Sequence, residues 1–312
     1  MIFATRNNLR LLGKSSKWFL DGTFSVAPLL FLQLFTIHGI FKGHAIPLVY
    51  ALLTGKTQEL YTLVLNTLKE RCHAFNINLP NPPTVISDFE LAIVNACKQV
   101  LSTSTVRLCF FHLGQSVYRR VQGAGLQAAY SDPNYRAVKT GIHMLLSLAF
   151  VPVTDVIATF ELLRRDLPQE LLAIADDFEA TYIRVRRART RRPGPPGPPR
   201  YPIGEWNLYD AAIMLGPRTN NLTEGWHHRF NVMVGKNHPS FYHLVRELQK
   251  EQRDTEVMVR ELSLGRKVKV PQLKRYQRVD ERLQSIAEDY QTYKQEGRVL
   301  DYLRDCGHNI TL

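Results

Sequence analysis

The sequence predicts an α/β fold, in which helices flank a mixed β-sheet and a helical insertion divides the core. Two observations support this prediction. Before residue 54, the chain contains several runs of apolar and β-branched residues, which indicate strands. From about residue 56, apolar residues recur at helical spacing, which indicates a helix. With 312 residues, 45% of them hydrophobic, the chain can bury a sizeable core in one large domain or two smaller ones.

The first part of the chain is predicted to hold three strands and a helix. The strands lie at 18–24, 31–40 and 46–53, and their short connections imply an antiparallel meander. Apolar residues then repeat with a helical period over 56–75. Three prolines stop that helix: Pro80, Pro82 and Pro83.

The next part is predicted to alternate strand, helix and strand. A fourth strand at 84–87 should run parallel to the first, and a helix at 89–101 has Ser87 or Asp88 near its N-cap. A fifth strand is predicted at 106–111. This order of elements is that of a ribonuclease-H-like sheet: a meander, a crossover helix, and then strand, helix and strand. A doubly wound fold would not begin with a meander.

The rest of the chain is predicted to be mainly helical. Helical periodicity over 113–192 indicates an insertion, which ends in a run of arginines and a stiff Pro/Gly linker at 193–199. A helix entrance at 219–221 and a long helix at 241–262 follow. These patterns divide the chain into a first part of the core (1–112), the insertion (113–205), the last part of the core (206–262) and a basic, loosely attached helical tail (263–312).

The formal charge of +12, from 40 basic and 28 acidic residues, favours a polyanionic partner, with DNA first among them. A merely basic soluble protein is the alternative. The four scattered cysteines do not suggest a disulfide framework, so a reducing compartment is expected. The apolar stretch at 24–41 is broken by polar residues and lacks the roughly 18 uninterrupted apolar residues of a membrane span, so no membrane is expected as a partner. No small-molecule substrate is expected either.

Two carboxylates stand at the ends of apolar runs: Asp21 lies within the first predicted strand, and Asp88 directly follows the fourth. If these strands pair, the two carboxylates lie side by side, which suits a divalent cation that prefers oxygen ligands. Two ions held in this way catalyse in-line attack on a phosphodiester. Glu224 is the best candidate for a third acid, because the rival, Glu90, is expected to point along a helix.

Each of these acids also has an ordinary structural explanation. Asp21 suits a turn or a helix cap, and Glu224 is an acid that the helix dipole favours in a first turn. His227 lies three positions after Glu224 on the same helix face, where it either positions the scissile phosphate or packs beside Trp226.

Five segments, in order, resemble the catalytic domain of Mutator-like element (MULE) transposases. They are DGTF at 21–24, LVYALL at 48–53 followed by Lys56, SDFE at 87–90, CFFH at 109–112 and TNNLTEGWH at 219–227. The resemblance implies a ribonuclease-H-like fold with a helical insertion before the last acid. It also implies a DDE-type triad of Asp21, Asp88 and Glu224 that binds Mg²⁺ or Mn²⁺.

The resemblance places the Cys-x-x-His motif of the family on Cys109 and His112. This pair binds zinc only if further ligands join it, because zinc takes four ligands, or three and a water. A local structural role, or contact with DNA near the active site, is favoured over zinc. Three arginines of the insertion, Arg187, Arg189 and Arg191, are candidates for DNA contact, with a solvated helix face as the alternative.

The implied function is transposase-like DNA strand cleavage and strand transfer in the nucleus, by a homo-oligomer that brings two DNA ends together. Full-length members usually carry a DNA-recognition module ahead of the catalytic domain, and no Cys/His finger spacing occurs in this chain. A catalytically inactive, truncated or domesticated DNA-binding or interaction protein is therefore the alternative. A ribonuclease or another nuclease on the same fold is a third reading.

Overall fold

The computed structural model describes residues 1–185, 197–214, 221–266, 268 and 274–310, and only the backbone for residues 221, 222, 224 and 274–277. Six strands form one open sheet in the order β1-β4-β3-β2-β5-β6. The bounds of the strands are β1 (Ile2–Phe3), β2 (Lys17–Thr23), β3 (Gln33–Phe41), β4 (His44–Leu53), β5 (Thr84–Ser87) and β6 (Thr105–Leu108).

Strands β2, β3 and β4 form the predicted antiparallel meander, whereas β5 and β6 extend the sheet in parallel from β2. A two-residue turn joins β3 to β4, and both of its residues, Lys42 and Gly43, have positive φ angles of 49° and 81°. Such a turn matches the twist of a hairpin. The mixed sheet is therefore that of a ribonuclease-H-like α/β fold.

Three helices accompany this part of the chain, at bounds α1 (Arg6–Lys14), α2 (Gln58–Ala74) and α3 (Leu91–Val100). Thr57 caps α2 because its side chain accepts a hydrogen bond from the N–H of Leu60. Helix α2 is the crossover between β4 and β5, and α3 links β5 to β6. The strand β1 and the helix α1 were not among the sequence predictions.

The described part of the predicted insertion (113–205) is helical, and the run of helices extends beyond it, from residue 110 to residue 213. These helices are α4 (Phe110–Gly123), α5 (Gln127–Ser131), α6 (Arg136–Ser147), α7 (Val156–Asp166), α8 (Leu172–Phe178), α9 (Ile203–Trp206) and α10 (Tyr209–Ile213). Two 3₁₀ turns (Leu148–Phe150 and Gln169–Leu171) and a π-helical turn (Glu179–Ile183) complete it. Later helices are α11 (Asn221–Val234), α12 (Phe241–Ser263), α13 (Lys274–Glu288), α14 (Tyr290–Gln295) and α15 (Val299–His308).

The chain divides into two compact units. The first consists of residues 1–109 and 219–270, and the second of residues 110–218 and 271–312. The prediction of a loosely attached tail is wrong for α15, which packs on α6 within the second unit and buries Tyr302, Leu303 and Cys306. Because the last fifty residues are mostly polar and charged, the apolar face of α15 was not recognised from the sequence.

The four cysteines are buried free thiols. No helix in the described ranges is both long and apolar enough to cross a membrane.

Candidate active site

Asp21 and Asp88 lie at the same level on two neighbouring parallel strands. The parallel register of β2 and β5 pairs Leu20 with Ser87; Asp21 is the next residue of β2, and Asp88 directly follows the end of β5. Adjacent strands are about 4.8 Å apart. The backbone therefore brings the two acids to neighbouring positions, and the charge of Asp21 acts on Asp88.

Asp21 is buried, and two hydrogen-bond donors and one imidazole ring lie around its carboxylate. The N–H of Gly22 donates to Oδ1 at 2.8 Å, and the hydroxyl of Thr223 donates to Oδ2 at 3.4 Å. Nε2 of His227 lies 3.2 Å from the same Oδ2, although its ring is not oriented as in a hydrogen bond. These contacts stabilise negative charge on Asp21 and fix its orientation.

A side chain at Gly22 would displace a buried neighbour. A Cβ atom on this residue would lie 2.3 Å from Oε1 of Gln33. Gln33 is itself buried and held by Tyr61, to whose hydroxyl its Nε2 donates at 2.8 Å. The glycine of the DGTF segment thus leaves room for the side chain of Gln33.

Asp88 carries a charge that its surroundings disfavour. Burial, followed by the negative charges of Asp21 and Glu90, raises the pKa of Asp88 to about 7, and Lys56 only partly offsets them. Its Oδ1 is enclosed and has no hydrogen-bond partner within the described part of the chain. An enclosed carboxylate oxygen beside a second carboxylate suits a cation, so the residues present fit one.

Glu90 belongs to this acidic cluster, contrary to the expectation that it points along a helix. Helix α3 begins at Leu91, so Glu90 is the N-cap residue, and its side chain does not cap the helix. Its Oε1 is enclosed without a hydrogen-bond partner in the described structure, and its Oε2 lies 3.5 Å from Nζ of Lys56. The expected helix start at residue 89 was two residues too early.

Glu224, the third predicted acid, lies in the first turn of α11, and its side chain is outside the described structure. Thr223 and His227, which flank it in the sequence, both contact the carboxylate of Asp21. This end of α11 therefore lies over the end of β2, where the first acid stands. The predicted arginines Arg187, Arg189 and Arg191 lie outside the described residues.

A buried aromatic and polar cluster holds α11 on the sheet. The indole of Trp226 stacks on Phe230, with 4.8 Å between ring centroids, and its edge meets His38 at 5.1 Å. Its N–H donates to Oε1 of Glu251 on α12 at 2.7 Å. Glu251 also accepts two hydrogen bonds from the guanidinium of Arg229.

Sequence reasoning missed His38 and Glu251. Burial, with a smaller contribution from His227, lowers the pKa of His38 to about 3, so its imidazole is neutral at physiological pH. His38 sits within an apolar strand, and Glu251 lies on a helix rich in charged residues. Glu251 does not differ in sequence pattern from its neighbours, and His38 differs only as one polar residue in an apolar strand.

Cys109 and His112 mark the junction between β6 and α4. The predicted strand at 106–111 is wrong at its end, because β6 stops at Leu108 and α4 begins at Phe110. Cys109 is buried, and its N–H donates to the carbonyl of Ser87 at 2.9 Å. Among the described side chains, no three His, Cys, Asp or Glu residues are grouped so that they could hold a metal ion, either here or among the acids around Asp88.

The fold and the paired carboxylates define a ribonuclease-H-like protein with an acidic site at the end of the central strands. Residues 17–116 match the family model described as the MULE transposase domain, which identifies such a domain in this chain. The match includes Asp21, Asp88, Cys109 and His112. A search of curated proteins and a search of solved structures gave no match.

The raised pKa of Asp88 predicts a pH-dependent loss of stability. A carboxyl whose pKa in the folded state is raised stabilises the fold at low pH, and this contribution is lost as the pH rises towards about 7. In EDTA, the free energy of unfolding should therefore fall between pH 5 and pH 8, by on the order of 1 to 3 kcal/mol from this group.

Urea unfolding at both pH values measures this change. Asp88→Asn should remove the corresponding part of the pH dependence, whereas Asp254→Asn, at an exposed position of α12, should retain it. An identical pH dependence in wild type and Asp88→Asn would contradict the assignment.

Proposed function

We propose that the chain is a DDE-type transposase that cleaves DNA strands and transfers them by metal-assisted attack on phosphodiester bonds. The observation that supports this most is the pair Asp21 and Asp88 at the same level of β2 and β5, within the MULE transposase domain. Asp88 carries an uncompensated charge in this pair, and a cation would neutralise it.

Asp21, Asp88 and Glu224 would hold Mg²⁺ or Mn²⁺, since these ions prefer carboxylate oxygens. Two such ions, when bound, activate water or a 3′-hydroxyl for attack and stabilise the leaving oxygen. Thr223 and the N–H of Gly22 keep the carboxylate of Asp21 in place for this role. His227, beside Asp21, is suited to orient the scissile phosphate.

The compartment, the partner and the oligomeric state follow from the proposed reaction. A transposase acts on chromosomal DNA, so we propose that the protein works in the nucleus, with DNA as its partner and as a homo-oligomer on paired DNA ends. The reaction needs no covalent link between protein and DNA. Zinc at Cys109 and His112 is not part of the proposal.

The direct test is cleavage of a supercoiled plasmid by the wild-type protein in Mn²⁺ and in EDTA. Cleavage in Mn²⁺ alone is expected, and a labelled oligonucleotide with a free 3′-hydroxyl should become joined to the plasmid. Salt-sensitive DNA binding without cleavage in either condition would instead indicate a catalytically inactive DNA-binding protein derived from a transposase.

The same assay separates the two candidates for the third acid. Glu224→Gln should reduce cleavage at least about 100-fold, because it removes a proposed metal ligand, whereas Glu90→Gln should retain most of the activity. Glu90→Gln is the matched control, since it removes one negative charge from the described cluster. Loss of cleavage in Glu90→Gln alone would assign the third ligand to Glu90.

A further inference from the structure

Helix α12 carries a row of exposed basic residues on one face. Successive residues of an α-helix are rotated by about 100°, so positions 242, 246, 250, 253, 257, 260 and 264 fall within a stripe roughly 80° wide. We call these seven residues the α12 stripe. Its basic members are exposed: Arg246, Lys250, Arg253 and Arg260. Its apolar and aromatic members, Tyr242, Val257 and Leu264, are 76%, 61% and 60% exposed.

The α12 stripe contains no acidic residue. Glu247 and Glu251 lie on the buried side of the helix, where Lys250 contacts the first and Arg229 the second. Within the described residues, Arg246, Arg253 and Arg260 make neither an ion pair nor a side-chain hydrogen bond. The three guanidinium groups are therefore exposed to the solvent without a direct carboxylate partner among the described residues.

The opposite face of α12 packs in the core of the first unit and fixes the position of the α12 stripe. Leu244 and Leu248 are buried in the core cluster that contains Trp226, and Glu251 ties α12 to α11 through hydrogen bonds. The helix has 23 residues, and Ser240 caps it by accepting from the N–H of His243. A fixed helix presents its arginines with little loss of backbone entropy on binding.

We infer that the α12 stripe binds the phosphate backbone of duplex DNA. Arg246 to Arg260 span about 21 Å along the helix axis, which corresponds to roughly six base-pair steps. Guanidinium groups are strong, bidentate phosphate ligands. Contacts with phosphates do not depend on the DNA sequence, and they suit a protein with a formal charge of +12.

The neighbouring acids restrict how the DNA lies. Asp254, Glu256 and Glu261 flank the α12 stripe on both sides, and a helix inserted deep into a groove would bring them against phosphates. A contact by the ridge alone avoids this repulsion. The stripe therefore contributes affinity rather than base recognition.

This inference rests on the proposed function only in taking DNA as the partner, and its test does not depend on catalysis. Binding of a 30-base-pair duplex is measured by fluorescence anisotropy in EDTA at several salt concentrations. The stripe variant carries Arg246→Gln, Arg253→Gln and Arg260→Gln. The control variant carries Arg10→Gln, Arg71→Gln and Arg165→Gln, which remove the same charge at scattered, exposed positions.

The stripe variant should lose about tenfold or more in affinity near 0.1 M salt, and its salt slope should become shallower by roughly two to three. The control variant should stay close to the wild type. Equal losses in both variants would overturn the inference and leave DNA binding by other surfaces intact. Wild-type protein that does not bind DNA would overturn the inference together with the proposed partner.

Discussion

We expect Asp88→Asn to reduce the proposed Mn²⁺-dependent cleavage of plasmid DNA by at least about 1,000-fold, because the amide is a poor ligand for a divalent cation and removes one charge from the proposed site. Asp21→Asn should have an effect of the same size. Both variants should nevertheless fold. For Asp88→Asn in particular, the thermal midpoint in EDTA at pH 8 should equal or exceed that of the wild type, since the lost charge is one that burial disfavours.

The combination of lost activity and retained stability distinguishes a site residue from a structural one. Asp254→Asn, at an exposed position on α12, is the control and should cleave as the wild type does. Cleavage that survives in Asp88→Asn would contradict the proposed site, even if the wild type is an active nuclease.

Trp226→Ala should be the most destabilising single substitution in the first unit, with a loss of about 3 to 5 kcal/mol in the free energy of unfolding. Trp226 is 7% exposed, stacks on Phe230 and anchors α11 to the sheet. Its removal also deprives the buried carboxylate of Glu251 of one donor. Urea unfolding followed by circular dichroism measures the change.

Two further variants define the origin of this effect. Trp226→Phe keeps a ring but removes the indole N–H, so it should cost about 1 to 3 kcal/mol. Tyr242→Ala, at a position that is 76% exposed on α12, should change stability by no more than about 0.5 kcal/mol. A loss below about 1 kcal/mol in Trp226→Ala would show that α11 does not depend on this contact.

The sequence was sufficient to predict the sheet because its strands are apolar runs with clear turns between them. The meander, the crossover helix and the parallel pairing of β5 with β2 are confirmed. The register pairs Leu20 with Ser87, so Asp21 and Asp88 follow paired positions of the two strands. Their joint role as a site stays a prediction.

Other features depend on contacts between residues that are far apart in the chain. Glu90 contacts Lys56, which is 34 residues away, and it precedes α3 instead of belonging to it because the helix starts at Leu91. Glu251 and His38 meet Trp226 only when α11 and α12 pack on the sheet. The packing of α15 on α6 likewise joins segments about 160 residues apart.

The central claim is that Asp21 and Asp88 jointly bind a divalent cation. Electron paramagnetic resonance of Mn²⁺ titrated into the DNA-free protein tests it directly. The wild type and Asp254→Asn should bind Mn²⁺ equally well, whereas Asp21→Asn and Asp88→Asn should each bind at least about tenfold more weakly. Equal binding by all four proteins, or no binding by the wild type, would contradict the claim.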